Sequence, residues 1–185
     1  MNDQREPDER LMQQVALGQR EPLEVLLRRY ASPLLTFIQR MIGDRHRAEE
    51  LFQEVFLAVW IRRGAYQFPR PFRAWLFGIA MNKCRADFRR AVPQPIELDD
   101  CSPVAVAAGG PSPPEAAVAA ETAALVAGAV AGLPVAQRTV VVLRVWNGLP
   151  YGEIARIVGR SQGTVRAQMF YALKAIRRCL EPRMR

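Results

Sequence analysis

The chain of 185 residues is long enough for one domain or two small ones, and half of its residues are hydrophobic. Its 26 Lys and Arg residues against 18 Asp and Glu give a net charge of +8, which favours an anionic partner, either nucleic acid or a membrane surface. No apolar run is long enough to span a bilayer, and the charged N-terminus lacks the apolar core of a secretory signal. Because three widely spaced cysteines also fit a reducing cytosol, we expect a cytoplasmic protein without membrane insertion.

Helical periodicity dominates the N-terminal half, and no pair of strands joined by a hairpin turn is predicted. The apolar spacing predicts a short helix that ends at Gly18, followed by a helix that begins at Pro22. Pro33 either kinks this second helix or opens a new one. A longer helix is predicted from about residue 47 to residue 62, and another from about 72 to 90.

The helical pattern stops at residues 93–114, a proline-rich segment without any basic side chain, which indicates a linker. Basic charge concentrates on either side of it: residues 61–92 carry eight basic side chains and one acidic, and residues 117–185 carry ten basic and three acidic. A second helical unit begins near Glu115 and includes a helix from Pro134 to Trp146. We therefore predict an all-α fold of two small helical domains joined by a flexible linker, with the boundaries 1–92, 93–114 and 115–185.

The stretch YGEIARIVGRSQGTVRAQ, residues 151–168, predicts two short helices joined by a tight turn. Gly159 suits the left-handed cap that ends the first helix, and the Ser161 hydroxyl suits the N-cap of the second. Three apolar residues recur at every fourth position and are expected to be buried: Val165, Met169 and Leu173. A helix-turn-helix that binds DNA needs outward hydrogen-bonding side chains at this place, which here are Gln162, Arg166 and Gln168. The alternative, a helical hairpin inside an ordinary core, is left open by this stretch alone.

The loop and helix between residues 62 and 90 interleave aromatic with basic side chains. Aromatic faces stack on unpaired bases and Arg binds the phosphates, so this composition is typical of a single-strand-binding surface. We expect Phe72 and Trp75 in the core, whereas Tyr66 and Phe68 lie in the loop and are candidates for base stacking. Spacings of three and four residues place three polar side chains on one helix face: Asn82, Arg85 and Arg89. The alternative is a basic, solvated face without a ligand.

Catalytic chemistry has little support in the sequence. His46 is the single histidine, and neither a Cys-x-x-Cys pair nor a Gly-rich phosphate loop is present, so we predict no enzymatic activity, metal or cofactor. The helix EELFQEVFLAVW, residues 49–60, has more apolar residues than one buried stripe needs and also has an acidic side. Its pattern alone favours a core helix with a solvated acidic face over a docking surface.

These segments together resemble the extracytoplasmic-function (ECF) sigma factors of bacterial RNA polymerase. The resemblance depends on the ordered set AEELFQEVF, AWLFGIAMNK and EIARIVGRSQGTV, and it covers nearly the whole chain apart from the ends and the linker. It implies a transcription initiation factor that binds core RNA polymerase and promoter DNA. The N-terminal domain would bind the polymerase clamp and melt the minus-ten element, and the C-terminal helix-turn-helix would bind the minus-thirty-five element. An anti-sigma protein is implied as a further partner.

The resemblance also assigns residues to three surfaces by their position. The polymerase-binding surface would comprise Glu50, Leu51, Gln53, Glu54 and Phe56, which reverses the preference for a plain core helix. The minus-ten surface would comprise Tyr66, Phe68, Asn82, Arg85 and Arg89. The minus-thirty-five surface would comprise Arg160, Ser161, Gln162, Thr164 and Arg166. Two departures from the family pattern are Pro150, where Ser or Thr usually caps the first helix, and Ala167-Gln168 in place of Ser-Arg.

Two other classes of protein stay open beside the sigma-factor interpretation. One is a stand-alone helix-turn-helix regulator with a ligand- or partner-sensing helical domain, and the other is an adaptor without any role on DNA. The aromatic and basic helix near residues 66–90 favours the sigma factor, because a protein that binds only duplex DNA has no use for base-stacking side chains.

Overall fold

The computed structural model of the protein describes residues 6–91 and 114–181, and all regular secondary structure within these ranges is helical. The all-α prediction is therefore confirmed. The predicted linker lies outside the described residues except for its last residue, Pro114. In chain order the α-helices are α1 (Asp8–Ala16), α2 (Glu21–Ile42), α3 (Arg45–Ile61), α4 (Phe72–Ala91), α5 (Pro114–Ala131), α6 (Val135–Val141), α7 (Tyr151–Val158) and α8 (Gln162–Leu180). Within the described ranges, no helix has both the length and the apolar content needed to cross a bilayer.

The N-terminal unit, α1–α4, packs its helices around one apolar core. Gly43 adopts a left-handed conformation at φ 84° and ends α2, and the Asp44 carboxylate then accepts a hydrogen bond from the Arg47 N–H at 2.7 Å and caps α3. In the core, the rings of Phe37 and Phe77 meet edge to face with centroids 5.5 Å apart and join α2 to α4. Local capping thus sets the turn between α2 and α3, and aromatic packing sets the position of α4.

Helix α2 continues through Pro33 instead of breaking there. A proline inside a helix removes one backbone hydrogen bond and costs about 3 kcal/mol. The helix nevertheless buries one long apolar stripe, and the burial of its members outweighs this cost. The buried side chains around and beyond the proline are Leu26, Tyr30, Leu34, Phe37, Ile38 and Met41.

The C-terminal unit, α5–α8, departs from the sequence prediction at two places. The predicted helix from Pro134 to Trp146 begins at Val135, and its last five residues, Val142–Trp146, form a π-helical turn. On α8, Val165 and Met169 are buried as predicted, but Leu173 is 52% exposed and Ala172 is buried instead. The prediction for Leu173 is wrong because an α-helix repeats every 3.6 residues, so a strict four-residue spacing drifts away from the buried face.

The two units contact each other directly, and Arg138 of α6 is one polar link between them. Its Nη1 donates to the carbonyl oxygen of Met41, in the last turn of α2, at 2.7 Å. Its Nη2 donates to the carbonyl oxygens of Ala131 and Leu133, at and beyond the end of α5. Burial lowers the pKa of this guanidinium, but carbonyls at helix C-termini carry partial negative charge and suit a cation.

A second polar link joins α2, α4 and α7 around Asn147. The Asn147 side-chain amide donates to the Pro33 carbonyl oxygen at 2.8 Å, and the Arg73 guanidinium donates to the Asn147 carbonyl oxygen at 2.8 Å. Arg73 Nε also lies 3.5 Å from a carboxylate oxygen of Glu153 on α7. The helix-turn-helix is therefore held against the N-terminal unit through its first helix, which leaves α8 outside this contact.

Candidate nucleic-acid and partner interfaces

Helix α3 presents an outward stripe that is acidic at one end and apolar at the other. We call this stripe the α3 face, and its exposed residues are Glu50, Gln53, Leu57 and Ile61. The side chains of Leu57 and Ile61 are 59% and 67% exposed, and residues three or four apart lie on one side of a helix. Two adjacent exposed aliphatic side chains beside acidic and amide groups are typical of a surface that a protein partner covers.

Two residues predicted to contact the polymerase lie instead in the core. Leu51 and Phe56 are buried, because they belong to the stripe of α3 that packs against α2 and α4. Their side chains therefore add nothing to the exposed surface of α3, and their role in polymerase binding stays a prediction. The sequence signal for an exposed apolar patch on α3 was the pair Leu57 and Ile61, four residues apart and outside the buried stripe.

Glu54 is half-buried and takes part in an ion-pair network between α3 and α4. Its carboxylate lies 2.7 Å from Lys83 Nζ and 3.5 Å from Arg47 Nη1. The hydrogen bond from Lys83, together with the nearby Arg47 charge, lowers the pKa of Glu54. Arg47 in turn donates to Asp87 at 2.7 Å. The acidic residue predicted for polymerase binding therefore also ties α3 to α4.

The loop before α4 separates the two aromatic candidates for base stacking. Tyr66 is only 7% exposed, packs against the rings of Phe72 and Trp75, and donates its hydroxyl to the Arg70 carbonyl oxygen. This burial raises the pKa of Tyr66 to about 12. Phe68, in contrast, is 48% exposed. Tyr66 is therefore covered in this structure and Phe68 is accessible to a base, and base stacking by either residue stays a prediction.

Helix α4 carries the predicted polar face at its surface. Asn82 and Arg89 are exposed and Arg85 is half-buried, and we call these three residues the α4 face. Asn82 also lines a cleft between α3 and α4, together with Arg62 and Arg90. The exposed cations near this cleft can bind phosphate oxygens, which makes α4 and the preceding loop suitable for nucleic acid.

The helix-turn-helix has the geometry that its sequence predicts. Gly159 lies in the left-handed region at φ 66°, and its N–H donates to the Ala155 carbonyl oxygen. The Ser161 hydroxyl accepts from the Thr164 N–H at 3.1 Å and lies 2.9 Å from the Thr164 hydroxyl. Pro150 precedes α7 without any side-chain cap. The glycine turn and the serine cap together direct α8 away from α7 and leave its front turn open to solvent.

All five predicted residues at the front of α8 are accessible. They are Arg160, Ser161, Gln162, Thr164 and Arg166. Two of them contact the first turn of α7: the Gln162 amide lies close to Gly152, and the Arg166 guanidinium lies 5.8 Å from the ring centroid of Tyr151. No sequence pattern predicts these two contacts, because they depend on the angle between the two helices.

The fold and these surfaces together indicate the class of protein. The chain is an all-α helix-turn-helix protein with an accessible front turn of α8, a separate aromatic and basic surface, and an exposed apolar pair on α3, features that are typical of nucleic-acid-binding proteins. The described residues contain no cluster of His, Cys, Asp and Glu that could hold a metal ion.

Comparison with known proteins identifies the family. The family models described as "Sigma-70 region 2" and "Sigma-70, region 4" match residues 26–92 and 124–176. The ECF RNA polymerase sigma factor SigL of Mycobacterium tuberculosis is 30% identical over 86% of this chain and 89% of its own length. The RNA polymerase sigma-H factor of Pseudomonas aeruginosa is 29% identical over 97% of both chains. The chain therefore belongs to the ECF sigma factors, which are transcription initiation factors.

A solved structure supports the fold. The sigma factor RpoE of Bartonella quintana, determined in complex with the anti-sigma factor NepR, superimposes with a TM-score of 0.68 at 19% identity, over 88% of this chain and 98% of that one. Family membership also decides against the stand-alone regulator and the adaptor, the two other classes that the sequence left open.

Proposed function

We propose that this sigma factor brings core RNA polymerase to its promoters through three surfaces on separate helices. In this proposal the N-terminal domain, residues 1–92, binds the polymerase and the minus-ten element. The C-terminal domain, residues 115–185, binds the minus-thirty-five element, and the linker, residues 93–114, joins the two domains. The observation that carries the proposal is the accessible position of Phe68 and the α4 face in one unit and of the α8 front turn in the other. Both positions lie inside the segments that match sigma-70 regions 2 and 4.

The polymerase would bind the α3 face. The exposed aliphatic pair Leu57 and Ile61 would be desolvated at the centre of the contact, and Glu50 and Gln53 would make polar contacts at its rim. Glu54 would act mainly by fixing α3 against α4 through Lys83. Leu51 and Phe56 would support the helix from inside the core.

The minus-ten element would be bound as separated strands by the loop and α4. Phe68 would stack on one unpaired base, and the α4 face would bind the strand that is released. The buried Tyr66 would anchor the loop to α4, because its ring packs against those of Phe72 and Trp75.

Substitution of Phe68 tests the melting role. A base–aromatic stack is worth about 1–3 kcal/mol, so Phe68→Ala is expected to weaken open-complex formation on duplex promoters by about 5- to 150-fold. The defect should shrink on templates whose minus-ten region is mismatched, because those strands are already separated. Open complexes can be followed with a fluorescent base in the minus-ten region.

Phe68→Trp is the matched control, since it keeps an aromatic face and should melt the promoter nearly as well as the wild type. An equal defect of Phe68→Ala on duplex and mismatched templates would argue against a melting role.

The minus-thirty-five element would be bound as duplex DNA by α8. Free N–H groups at Gln162 and Gly163 and the positive end of the helix dipole favour a DNA phosphate near the helix start. Arg166 would reach a base edge in the major groove, because Arg pairs well with the acceptors of guanine. Arg160 would bind phosphate beside it.

Arg166→Ala separates base recognition from phosphate binding. If Arg166 contacts guanine, its loss is expected to cost about 1–3 kcal/mol at one base position and to relax the preference there. The measurement is binding of holoenzyme to promoters randomised at the minus-thirty-five element, at two salt concentrations. An even loss over all sequences, with a shallower salt dependence, would instead indicate a phosphate contact. No change in affinity or preference would show that α8 is not the recognition helix.

The cellular setting of this protein follows from its membership of the sigma factors. The protein would act in the cytoplasm as a non-catalytic factor without metal or cofactor, since the polymerase supplies the chemistry. An anti-sigma protein is proposed as a regulatory partner, because the related factor from Bartonella quintana was solved with one. Co-purification with core polymerase, and competition for that binding by a candidate anti-sigma protein, tests both partners.

A further inference from the structure

The first turn of α7 contacts two side chains at the front of α8. Gly152 lies so close to Gln162 that a Cβ atom at position 152 would fall 2.9 Å from Gln162 Nε2 and 3.7 Å from its Cδ. A distance below 3 Å cannot be accommodated without movement. The absence of a side chain at Gly152 therefore provides the space that the Gln162 amide occupies.

Tyr151, the preceding residue, lies against two guanidinium groups. Arg144 is 5.0 Å and Arg166 is 5.8 Å from the centroid of its ring. The Arg144 side chain is held in place by a hydrogen bond, which its Nη1 donates to the Leu149 carbonyl oxygen at 3.0 Å. The Arg166 side chain is exposed, but its guanidinium lies within the range of cation–aromatic attraction to Tyr151, which favours a position along the edge of α7.

We propose that Tyr151 and Gly152 are positioning residues that set the sequence preference of α8. They act through Arg166 and Gln162: the ring of Tyr151 orients the guanidinium, and the open space at Gly152 admits the amide. This inference rests on the proposed function, in which α8 binds the minus-thirty-five element.

The physical reason is that long side chains lose conformational freedom when they bind a base edge. Arg and Gln have several rotatable bonds, and a side chain that is already held loses less of this freedom on binding. Arg binds guanine and Gln binds adenine through pairs of hydrogen bonds, which need a defined orientation. A change in the first turn of α7 should therefore alter which base is preferred at one position, even though α8 itself is unchanged.

Gly152→Ala is the most direct test. Alanine favours a helix over glycine, so the variant should unfold at the same or a higher temperature than the wild type. The added methyl group displaces Gln162, and we expect the preference at one minus-thirty-five position to fall about fivefold or more. The assay is binding of full-length protein, assembled with core polymerase, to promoters randomised at that element. Gly128→Ala in α5 is the control, because a Cβ there meets no atom within 4 Å.

Double substitutions show whether the effect passes through α8. In a Gln162→Ala background, Gly152→Ala should change the preference no further, since the displaced group is gone. Tyr151→Ala is expected to weaken the preference at the Arg166 position by about two- to fivefold, whereas Tyr151→Phe retains the ring and the preference. In an Arg166→Ala background, Tyr151→Ala should have no further effect.

The outcomes distinguish this inference from the proposed function. If wild-type holoenzyme shows no preference at any minus-thirty-five position, the proposed role of α8 fails. If the wild type has a preference and neither Gly152→Ala nor Tyr151→Ala changes it, the positioning role is overturned. The positioning role is also overturned if the effects of these substitutions persist in full in the Gln162→Ala and Arg166→Ala backgrounds.

Discussion

Removal of the two exposed aliphatic side chains of the α3 face is expected to weaken binding to core polymerase by about 30-fold or more. Residues at the centre of a protein interface often contribute 2 kcal/mol or more, and Leu57 and Ile61 are the apolar members of this face. Leu57→Ala with Ile61→Ala leaves the helix intact, because both positions are solvent-exposed and alanine is a good helix former. The dissociation constant can be measured by fluorescence anisotropy with labelled sigma factor.

The control replaces two exposed leucines elsewhere in the N-terminal unit, Leu17 and Leu27, by alanine. Polymerase affinity should then stay within about twofold of the wild type, which is the scatter expected of surface substitutions. Substitution of the buried Leu51 is not a suitable test, because a cavity there costs about 2–5 kcal/mol of folding stability. Unchanged affinity in the folded Leu57 and Ile61 variant would show that the polymerase binds another surface.

Arg138→Ala is expected to lower the free energy of unfolding by about 2–3 kcal/mol. The substitution leaves the carbonyl oxygens of Met41, Ala131 and Leu133 without their cationic donor, and hydrogen bonds from charged groups are worth more than neutral ones. It also removes the guanidinium that lies 5.5 Å from the Phe88 ring centroid, on the N-terminal unit. Chemical denaturation followed by circular dichroism measures the loss.

Arg138→Lys gives an intermediate case that distinguishes charge from geometry. Lysine keeps the positive charge but has a single ammonium group in place of the planar fork, so it cannot reach the ends of both helices together. We expect it to recover less than half of the lost stability. An unfolding curve of Arg138→Ala that coincides with the wild type would contradict the role of this residue as a link between α2, α5 and α6.

The sequence was most informative where local chemistry decides the structure. The left-handed glycine and the serine cap of the helix-turn-helix follow from φ and hydrogen-bonding preferences of Gly159 and Ser161, and both were predicted. The helical spacing of apolar residues likewise predicted which segments form helices. Leu173 was placed in the core because a four-residue repeat follows the buried face over one step, from Val165 to Met169, but drifts by about 80° over two.

The sequence was least informative where the outcome depends on how helices face one another. Tyr66 appeared free because it lies in a loop, yet the rings of Phe72 and Trp75 pack against it and bury it. Helical spacing places Leu51 and Leu57 on different faces of α3, but the packing of α2 and α4 decides which of these two faces is buried. The hydrogen bonds of Arg138 to Met41 and of Asn147 to Pro33 join residues about a hundred positions apart in the sequence. A local sequence pattern cannot predict such contacts.

Transcription from a promoter library tests the central claim most directly. Core polymerase and this protein are incubated with templates randomised at the minus-ten and minus-thirty-five elements, and the run-off transcripts are sequenced. We expect transcripts that depend on the protein and share one motif at each element, with the minus-thirty-five motif altered in Arg166→Ala. Transcripts without any shared motif, or none above core polymerase alone, would contradict it.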